Sequence, residues 1–282
     1  MPGLPVASAP VPPPPRTNRA YRVLARIIRP VLLASTRRDW RGAEHLPRDR
    51  GFIAVGNHFT NIDPLTFAHY LYDNGFAPRI LAKASLFKVP VLGGLLRRTG
   101  QIPVHRTTSN AAASLQSAIE ALQAGECVAA FPEGTLTREP NLWPMAGKTG
   151  VARLALATRA PVIPIAQWGP QNLLGRYKKL FKPIPRKLVT VVAGPPVDLS
   201  DLYDRPQNGA VLREATERVM ADITALLAGI RGEPAPAERF VWRGDPNDKK
   251  DRPGAPGRAP RCSAPARGGR RSPRCSPTPA VR

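Results

Sequence analysis

The sequence predicts an α/β fold: a central mixed sheet covered by helices, with an N-terminal amphipathic helical membrane anchor and disordered termini. The first observation is that short apolar segments alternate with helical patterns through the middle of the chain. The second is that both ends are rich in Pro and Arg and poor in large apolar residues, so they cannot bury enough surface to order themselves. With 282 residues, the chain is long enough for one well-buried domain plus tails.

The strand candidates are short, apolar and bounded by turn residues, and they lie at residues 51–56, 79–82, 101–104, 127–131, 162–165 and 188–192. The helix candidates carry apolar residues at helical spacing, and they lie at residues 64–73, 90–98, 110–124, 147–158 and 209–230. The predicted organisation is a disordered Pro-rich arm, basic amphipathic helices, one domain and a disordered basic tail, at residues 1–17, 18–41, 42–231 and 232–282.

Residues 18–33 combine a basic and an apolar face. On a helical wheel the basic side chains fall within an arc of about 80°; they are Arg19, Arg22, Arg26 and Arg29. The opposite side is apolar, with Tyr21, Leu24, Ile27, Ile28, Val31 and Leu32. We expect Pro30 to break this segment into two short helices, because proline removes a helical hydrogen bond. The pattern favours binding to an anionic membrane surface, and the alternative is a surface helix that packs on its own domain.

The chain is strongly basic, with 42 Lys and Arg against 20 Asp and Glu and a formal net charge of +22. This excess predicts an anionic partner, which can be nucleic acid, an acidic membrane or a phosphorylated substrate. The three Cys show neither metal-ligand spacing nor a disulfide framework, which favours a reducing compartment. No apolar run approaches about 18 residues, so we expect a protein that is soluble or attached to one face of a membrane.

A His and an Asp lie five positions apart between a predicted strand and a predicted helix. Asp63 precedes Pro64, which is the pattern of an N-cap followed by a first-turn proline. His58 then lies in the loop before the helix and is free to fold back toward Asp63. A His held by a carboxylate is a general base, and no Ser or Cys nucleophile stands in an elbow motif. Direct attack by a substrate hydroxyl is therefore the simpler mechanism. In the alternative, Asp63 is only a helix cap and His58 only a loop residue.

Two further loops at predicted strand ends carry groups suited to an anion. After the fourth predicted strand, Gly134 lets backbone N–H groups approach an anion and Thr135 adds a hydroxyl. Arg138 and Lys148 follow, and either could reach a phosphate held there. At the end of the third predicted strand, Arg106 suits bidentate phosphate binding. Because ligands collect at strand ends in α/β sheets, these loops indicate one site.

The motifs, taken in order, resemble the four blocks of the glycerophospholipid acyltransferases, which are the lysophosphatidic-acid acyltransferases and their relatives. The blocks are the Asn-His-x-x-x-x-Asp motif with His58 and Asp63, and residues 100–106, 131–135 and 162–165. The resemblance covers about residues 40–230, and residues 83–90 resemble the family's segment between the first two blocks. Many members carry Arg directly after the Glu-Gly-Thr. Leu136 stands there in this chain, which is similar to the form found in actinobacterial members.

The resemblance implies that His58, paired with Asp63, deprotonates a glycerol hydroxyl that attacks the thioester of acyl-CoA or acyl-carrier protein. It implies further substrate-binding residues, mainly on the acceptor's phosphate side, and these are Arg106, Glu133, Gly134, Thr135, Thr60, Lys83 and Arg138. Glu133 should repel a phosphate, so it either orients Arg106 or accepts from a glycerol hydroxyl. The expected acceptor is lysophosphatidic acid and the expected product is phosphatidic acid. No metal or organic cofactor is implied.

The expected partners are the acyl donor, a lysophospholipid acceptor and an anionic membrane surface, with no specific nucleic acid. The expected location is the cytoplasmic face of the cell membrane, as a peripheral or monotopic protein. The acceptor alternatives are glycerol-3-phosphate, another lysophospholipid or a glycolipid. A non-enzyme alternative is a basic protein that binds nucleic acid or membrane. The basic ends lack interleaved aromatics and any recognisable nucleic-acid module, which disfavours that alternative.

Overall fold

The computed structural model describes residues 18–105, 108–178 and 180–242, without the side chains of residues 108–111. The predicted Pro-rich arm, the predicted phosphate ligand Arg106 and the predicted basic tail from residue 243 onward lie outside the described residues.

The described chain contains seven strands and seven helices, which alternate from β2 onward. The strands are Thr36–Arg41 (β1), Phe52–Gly56 (β2), Arg79–Lys83 (β3), Ile102–Val104 (β4), Cys127–Ala130 (β5), Val162–Trp168 (β6) and Lys187–Ala193 (β7). The helices are Arg19–Ser35 (α1), Asp63–Asp73 (α2), Leu92–Arg98 (α3), Thr108–Gln123 (α4), Gly150–Thr158 (α5), Pro170–Leu173 (α6) and Gly209–Arg231 (α7). Short 3₁₀ turns occupy Ala43–His45, Ala84–Lys88 and Ser200–Leu202.

The strands form one mixed sheet in the order β1-β7-β6-β2-β5-β3-β4. Strands β6, β2, β5, β3 and β4 are mutually parallel, whereas β7 is antiparallel to β6 and parallel to β1. The carboxyl ends of the five parallel strands therefore meet at one edge of the sheet, which we call the carboxyl edge. Loops that leave this edge are the usual place for a ligand site in such a sheet.

Helices cover both faces of the sheet, and the side chains of β2 show how. Ile53 and Val55 point into a core shared with α4, α5 and α7. Phe52 and Ala54 point the other way, into a core shared with α2. All four are buried, as expected for successive residues of a strand that is covered on both sides. The predicted α/β fold with a central mixed sheet covered by helices is confirmed.

The prediction that residues 18–41 are all helical is wrong for residues 36–41. These residues form β1, which pairs with β7 from Thr36 opposite Lys187 to Arg41 opposite Val192. The segment carries three Arg and one Asp in six residues, so it lacks the apolar alternation that marks a strand. Charged side chains are nevertheless usual on an edge strand, where they discourage pairing with other chains.

Pro30 does not break the N-terminal helix, contrary to the prediction. Helix α1 is continuous through Pro30, which lies on its exposed side. The opposite side packs on the domain: the ring of Tyr21 stacks on that of Tyr72 at 5.9 Å. Arg29 Nε donates to Asp73 Oδ1 over 2.9 Å. These contacts support the helix against the loss of one backbone hydrogen bond at proline.

The C-terminal boundary also differs from the prediction of a tail from residue 232. Helix α7 ends at Arg231 and is capped by Gly232, which adopts a left-handed conformation. Residues 233–242, which we call the C-terminal segment, then return to the domain. The N–H of Ala146 donates to the carbonyl of Phe240 over 2.9 Å. Among the described residues, no helix is both long enough and apolar enough to cross a bilayer.

Candidate active site

The candidate site lies at the carboxyl edge, where two loops from neighbouring strands meet. The first, residues 57–62, follows β2, and we call it the His loop. The second, residues 131–149, follows β5, and we call it the β5 loop. Because β2 and β5 are adjacent and parallel, the two loops leave the sheet side by side. Lys83 ends β3, the next strand along the same edge.

His58 and Asp63 meet as the sequence predicts. The two side chains approach within 3.0 Å, between His58 Nδ1 and Asp63 Oδ2. Asp63 is fully buried at the start of α2, and its carboxylate also accepts the backbone N–H groups of Phe59 and Thr60. Backbone donors stabilise the charged carboxylate away from water, and the turn that supplies them brings His58 back over the helix start.

The rest of the His58 imidazole is fixed by an aromatic contact. The ring lies against that of Phe131, with centroids 4.4 Å apart and planes 23° from parallel. Only 17% of the His58 side chain is exposed. We assign the imidazole proton to Nδ1, because that nitrogen faces the carboxylate of Asp63. Nε2 is then the nitrogen with a lone pair available to a substrate proton.

The β5 loop holds the backbone of His58 from both sides. The N–H of His58 donates to Glu133 Oε1 over 2.9 Å. The carbonyl of His58 accepts the N–H of Thr137 over 2.7 Å. The other Glu133 oxygen accepts the N–H of Met145 over 3.1 Å. Burial raises the pKa of Glu133 to about 8, and the two N–H donors oppose that rise.

Asn57, directly before His58, ties the His loop to β6. Its side-chain amide donates to the carbonyl of Gln167 over 3.0 Å, and its side-chain oxygen accepts the N–H of the same residue over 2.9 Å. Gln167 in turn accepts the hydroxyl of Thr66 on α2 over 2.7 Å. All three side chains are buried, so this network fixes the end of β2 relative to the start of α2.

Three of the predicted substrate-binding residues are placed differently from the expectation. Glu133 is buried and directs both oxygens to backbone donors of the protein. Thr60 is fully buried, and its hydroxyl lies 3.4 Å from Asp63 Oδ1 and accepts the N–H of Ile62. Arg138 is 7% exposed, with its guanidinium against the rings of Tyr177 and Trp242. Each of these side chains supports the loops instead of facing the open edge.

Of the other predicted residues, Gly134, Thr135 and Lys83 lie at the carboxyl edge. Gly134 has φ +69°, a left-handed turn in which its N–H donates to the carbonyl of Phe131 over 2.9 Å. Thr135 is half-buried in the same turn, and Lys83 is exposed at the end of β3. Arg106 is outside the described residues, two positions after the end of β4.

Sequence reasoning missed the supporting roles of Phe131, Glu133 and Thr137. Phe131 carried a usable signal, because it follows a predicted strand directly. An aromatic ring at that position is suited to stacking on the imidazole of the predicted general base. Glu133 and Thr137 carried none, because their contacts with His58 join residues 75 or more positions apart. Within the part of the chain that the structure describes, no cluster of three or more His, Cys, Asp or Glu side chains could hold a metal ion.

The fold and this arrangement define an α/β protein with a carboxylate-held histidine at the ends of parallel strands. The family model described as Acyltransferase matches residues 37–168, a range that contains the whole of the His loop and of the β5 loop. The chain belongs to this acyltransferase family, which includes the 1-acyl-sn-glycerol-3-phosphate acyltransferases. The family predicted from the motifs is therefore confirmed.

Two relatives and one solved structure illustrate the similarity. The 1-acyl-sn-glycerol-3-phosphate acyltransferase of Bacillus subtilis is 31% identical over 163 residues, which are 58% of this chain and 75% of that protein. The protein of the same name from Borreliella burgdorferi is 33% identical over 132 residues, which are 46% of this chain and about half (51%) of that protein. The crystal structure of the 1-acyl-sn-glycerophosphate (LPA) acyltransferase PlsC from Thermotoga maritima has the same fold, with a TM-score of 0.56 and 22% identity over 77% of this chain and 81% of that one.

Proposed function

We propose that this chain transfers a fatty acyl group from acyl-CoA or acyl-carrier protein to the free hydroxyl of lysophosphatidic acid, giving phosphatidic acid. The observation that carries the proposal is the buried Asp63 that holds His58 at the carboxyl edge of a sheet of this family. The relatives named above are 1-acyl-sn-glycerol-3-phosphate acyltransferases, which supports the choice of acceptor.

The geometry of the His58 and Asp63 pair supports the following reaction. His58 Nε2 takes the proton of the acceptor hydroxyl, and the oxygen attacks the carbonyl carbon of the thioester. A carbon–oxygen bond forms and a tetrahedral intermediate collapses with cleavage of the carbon–sulfur bond. The leaving thiolate takes the proton back from His58. Asp63 stabilises the imidazolium between these steps, as expected for a buried carboxylate beside Nδ1.

The test is acyl transfer from a labelled long-chain acyl-CoA to lysophosphatidic acid and, in parallel, to glycerol-3-phosphate. We expect phosphatidic acid from the wild type, and a rate lower by roughly several hundredfold or more in His58→Ala, since the general base is lost. His45→Ala is the matched control, because His45 lies in a 3₁₀ turn before β2 and should leave the rate unchanged.

Other outcomes test the acceptor and the general-base role separately. A wild type that acylates glycerol-3-phosphate or another lysolipid, and not lysophosphatidic acid, would keep the chemistry and replace the acceptor. Full activity in His58→Ala would remove the general-base role.

We further propose that α1 attaches the protein to an anionic membrane surface as a peripheral or monotopic anchor, at the cytoplasmic face of the cell membrane. The support is the exposed half of the helix, which divides into two stripes. One stripe is apolar, with Val23, Ile27 and Val31 each more than half exposed. The other is basic, with Arg19, Arg22 and Arg26 exposed beside it. Such a surface suits a helix lying at the boundary between headgroups and acyl chains.

A further inference from the structure

Lys148 lies across the turn that follows β5. Its backbone N–H donates to the carbonyl of Pro132 over 2.8 Å, which fixes the residue beside the turn. A Cβ atom added to Gly134 would stand 3.1 Å from Lys148 Cδ and 3.2 Å from Lys148 Cε. The aliphatic stem of Lys148 therefore covers Gly134, and the ammonium group continues beyond it. The residue as a whole is exposed.

Two other cationic side chains in or beside the β5 loop already have partners within the protein. The guanidinium of Arg138 is buried against the rings of Tyr177 and Trp242. Arg176 donates to the carbonyls of Thr137 and Glu139 over 3.0 Å and 2.7 Å. By contrast, the ammonium of Lys148 forms no salt bridge within residues 18–105, 108–178 and 180–242. Lys148 is therefore the cation that the β5 loop presents to solvent beside the Gly134 turn.

The same turn is joined to the proposed general base. Glu133, next to Gly134, binds the backbone N–H of His58, and Phe131 stacks on the imidazole ring. In the proposed acceptor, only glycerol carbons and one ester oxygen separate the attacking hydroxyl from the phosphate. A phosphate must therefore lie close to His58 when the hydroxyl reaches Nε2. The carboxylate of Glu133 points inward to backbone donors, so it does not oppose an anion at the outer side of the turn.

We propose that the ammonium group of Lys148 binds the phosphate monoester of the acyl acceptor. The proposal rests on the proposed function, and it assigns acceptor binding to a residue 13 positions after Thr135. A lysine is a flexible point charge, so it can follow a phosphate without the fixed geometry that a guanidinium requires. The phosphates of the CoA donor are also anions that a lysine could bind. The test must therefore distinguish binding of the acceptor phosphate from binding of CoA.

The first experiment compares Lys148→Met, which keeps an unbranched stem over Gly134 but removes the charge, with Lys148→Arg, which keeps the charge. Arg153→Met is the matched control, because Arg153 is an exposed cation on the following helix. The KM for lysophosphatidic acid is measured at saturating acyl-CoA, and the KM for acyl-CoA at saturating lysophosphatidic acid. We expect about a tenfold rise in the KM for lysophosphatidic acid in Lys148→Met. Lys148→Arg and Arg153→Met should stay within about twofold of the wild type.

The outcomes are decisive in each direction. A rise confined to the KM for acyl-CoA would assign Lys148 to the donor and overturn the proposal. Equal values in Lys148→Met and wild type, or an equal rise in Arg153→Met, would overturn it as well.

A binding measurement separates this inference from the proposed function. Calorimetry of a short-chain, monomeric lysophosphatidic acid with the inactive His58→Ala protein should show about tenfold weaker binding when Lys148→Met is added. Unchanged binding would overturn the role of Lys148. Weaker binding in a protein whose wild type does not acylate lysophosphatidic acid would keep the phosphate site and overturn the proposed reaction.

Discussion

At the scale of single residues, His58 is held by contacts from several elements. Asp63 binds Nδ1, Phe131 covers the ring, Glu133 accepts the backbone N–H and Thr137 donates to the carbonyl. Nε2 is the imidazole nitrogen that Asp63 does not bind. The orientation of the proposed general base therefore depends on several neighbours, and changes in them should act on the turnover rate more than on substrate binding.

Gly134→Ala tests the close approach of the Lys148 stem to the β5 turn. An added Cβ would meet the stem at 3.1 Å and 3.2 Å, and the residue has φ +69°. We expect the variant to displace Lys148 and to raise the KM for lysophosphatidic acid by about threefold to tenfold. Enzyme kinetics and thermal unfolding measure the two effects.

The control is Gly125→Ala, where φ is +77° and no atom lies within 4 Å of an added Cβ. Both variants should lose about 1 kcal/mol of stability from the left-handed backbone. Only Gly134→Ala should change the KM. Identical KM values in the two variants would contradict the contact.

Part of this site could be predicted from local sequence. The Asp63-Pro64 pair marks a helix start, and that start allows His58 to fold back onto the carboxylate. Glu133 could not be placed in the same way. Electrostatics alone shows that a carboxylate should avoid a phosphate, but its actual partners, the N–H groups of His58 and Met145, are set by how two distant loops meet.

At the scale of elements, the C-terminal segment supports the β5 loop from outside. Phe240 accepts the N–H of Ala146, and Trp242 covers Arg138. Arg231, the last residue of α7, donates to the carbonyl of Asn141 and lies over the ring of Trp143. The β5 loop is thus held between the sheet and the end of the described chain, and it in turn holds His58.

Truncation tests the role of the C-terminal segment. A chain that ends at Trp242 should keep the turnover rate of the full chain, because the contacts on Ala146 and Arg138 remain. A chain that ends at Gly232 loses both contacts, and we expect a rate several-fold lower with a melting temperature lower by roughly 4 °C or more. Trp242→Ala should fall between the two. Equal rates for the Gly232 and Trp242 chains would show that the segment does not support the site.

The secondary structure was largely predictable, with β1 as the main exception. Six strands are apolar and lie between turn residues, so a strand pattern reveals them. β1 lies at the sheet edge and carries four charged side chains, and its one large apolar side chain, Trp40, packs against the rings of His69 and Tyr70. Its pairing with β7 joins residues about 150 positions apart, which no local pattern can show.

At the scale of the whole molecule, Asp73 joins the proposed membrane helix to the domain. It accepts from Arg29 on α1 over 2.9 Å and from Arg38 on β1 over 2.7 Å, while it ends α2 itself. Arg186 adds a second connection by donating to the carbonyls of Leu33 and Thr36. Because α1 is integrated into the fold in this way, its role at a membrane is best tested by surface substitutions.

Binding to anionic liposomes should depend on both exposed stripes of α1. Replacing Val23, Ile27 and Val31 with Asn should weaken binding about tenfold or more at all salt concentrations, since apolar insertion is lost. Replacing Arg22 and Arg26 with Gln should weaken binding about tenfold at low salt and little at high salt, because charge attraction is screened. Sedimentation with vesicles measures both effects.

The control replaces two exposed cations elsewhere on the domain, Arg153 and Arg213, with Gln. Its binding should stay close to that of the wild type. Equal losses in the control and in the Arg22 and Arg26 variant would indicate general charge attraction and contradict a membrane-facing role for α1.

The position of α1 has a mechanical consequence. Its first turn is tied to the last residue of α3 by Asn18, which donates to the carbonyl of Arg98 over 2.8 Å, and its last residue is followed at once by β1. Its 17 residues span about 26 Å, and seven strands about 4.8 Å apart span about 29 Å. The two ends of α1 are thus fixed near opposite sides of the sheet, one at the approach to β4 and the other at the outer strand β1. If α1 binds a lipid surface, a tilt of the helix would therefore turn the whole sheet with it. The carboxyl edge would then keep a fixed height and a fixed angle above that surface.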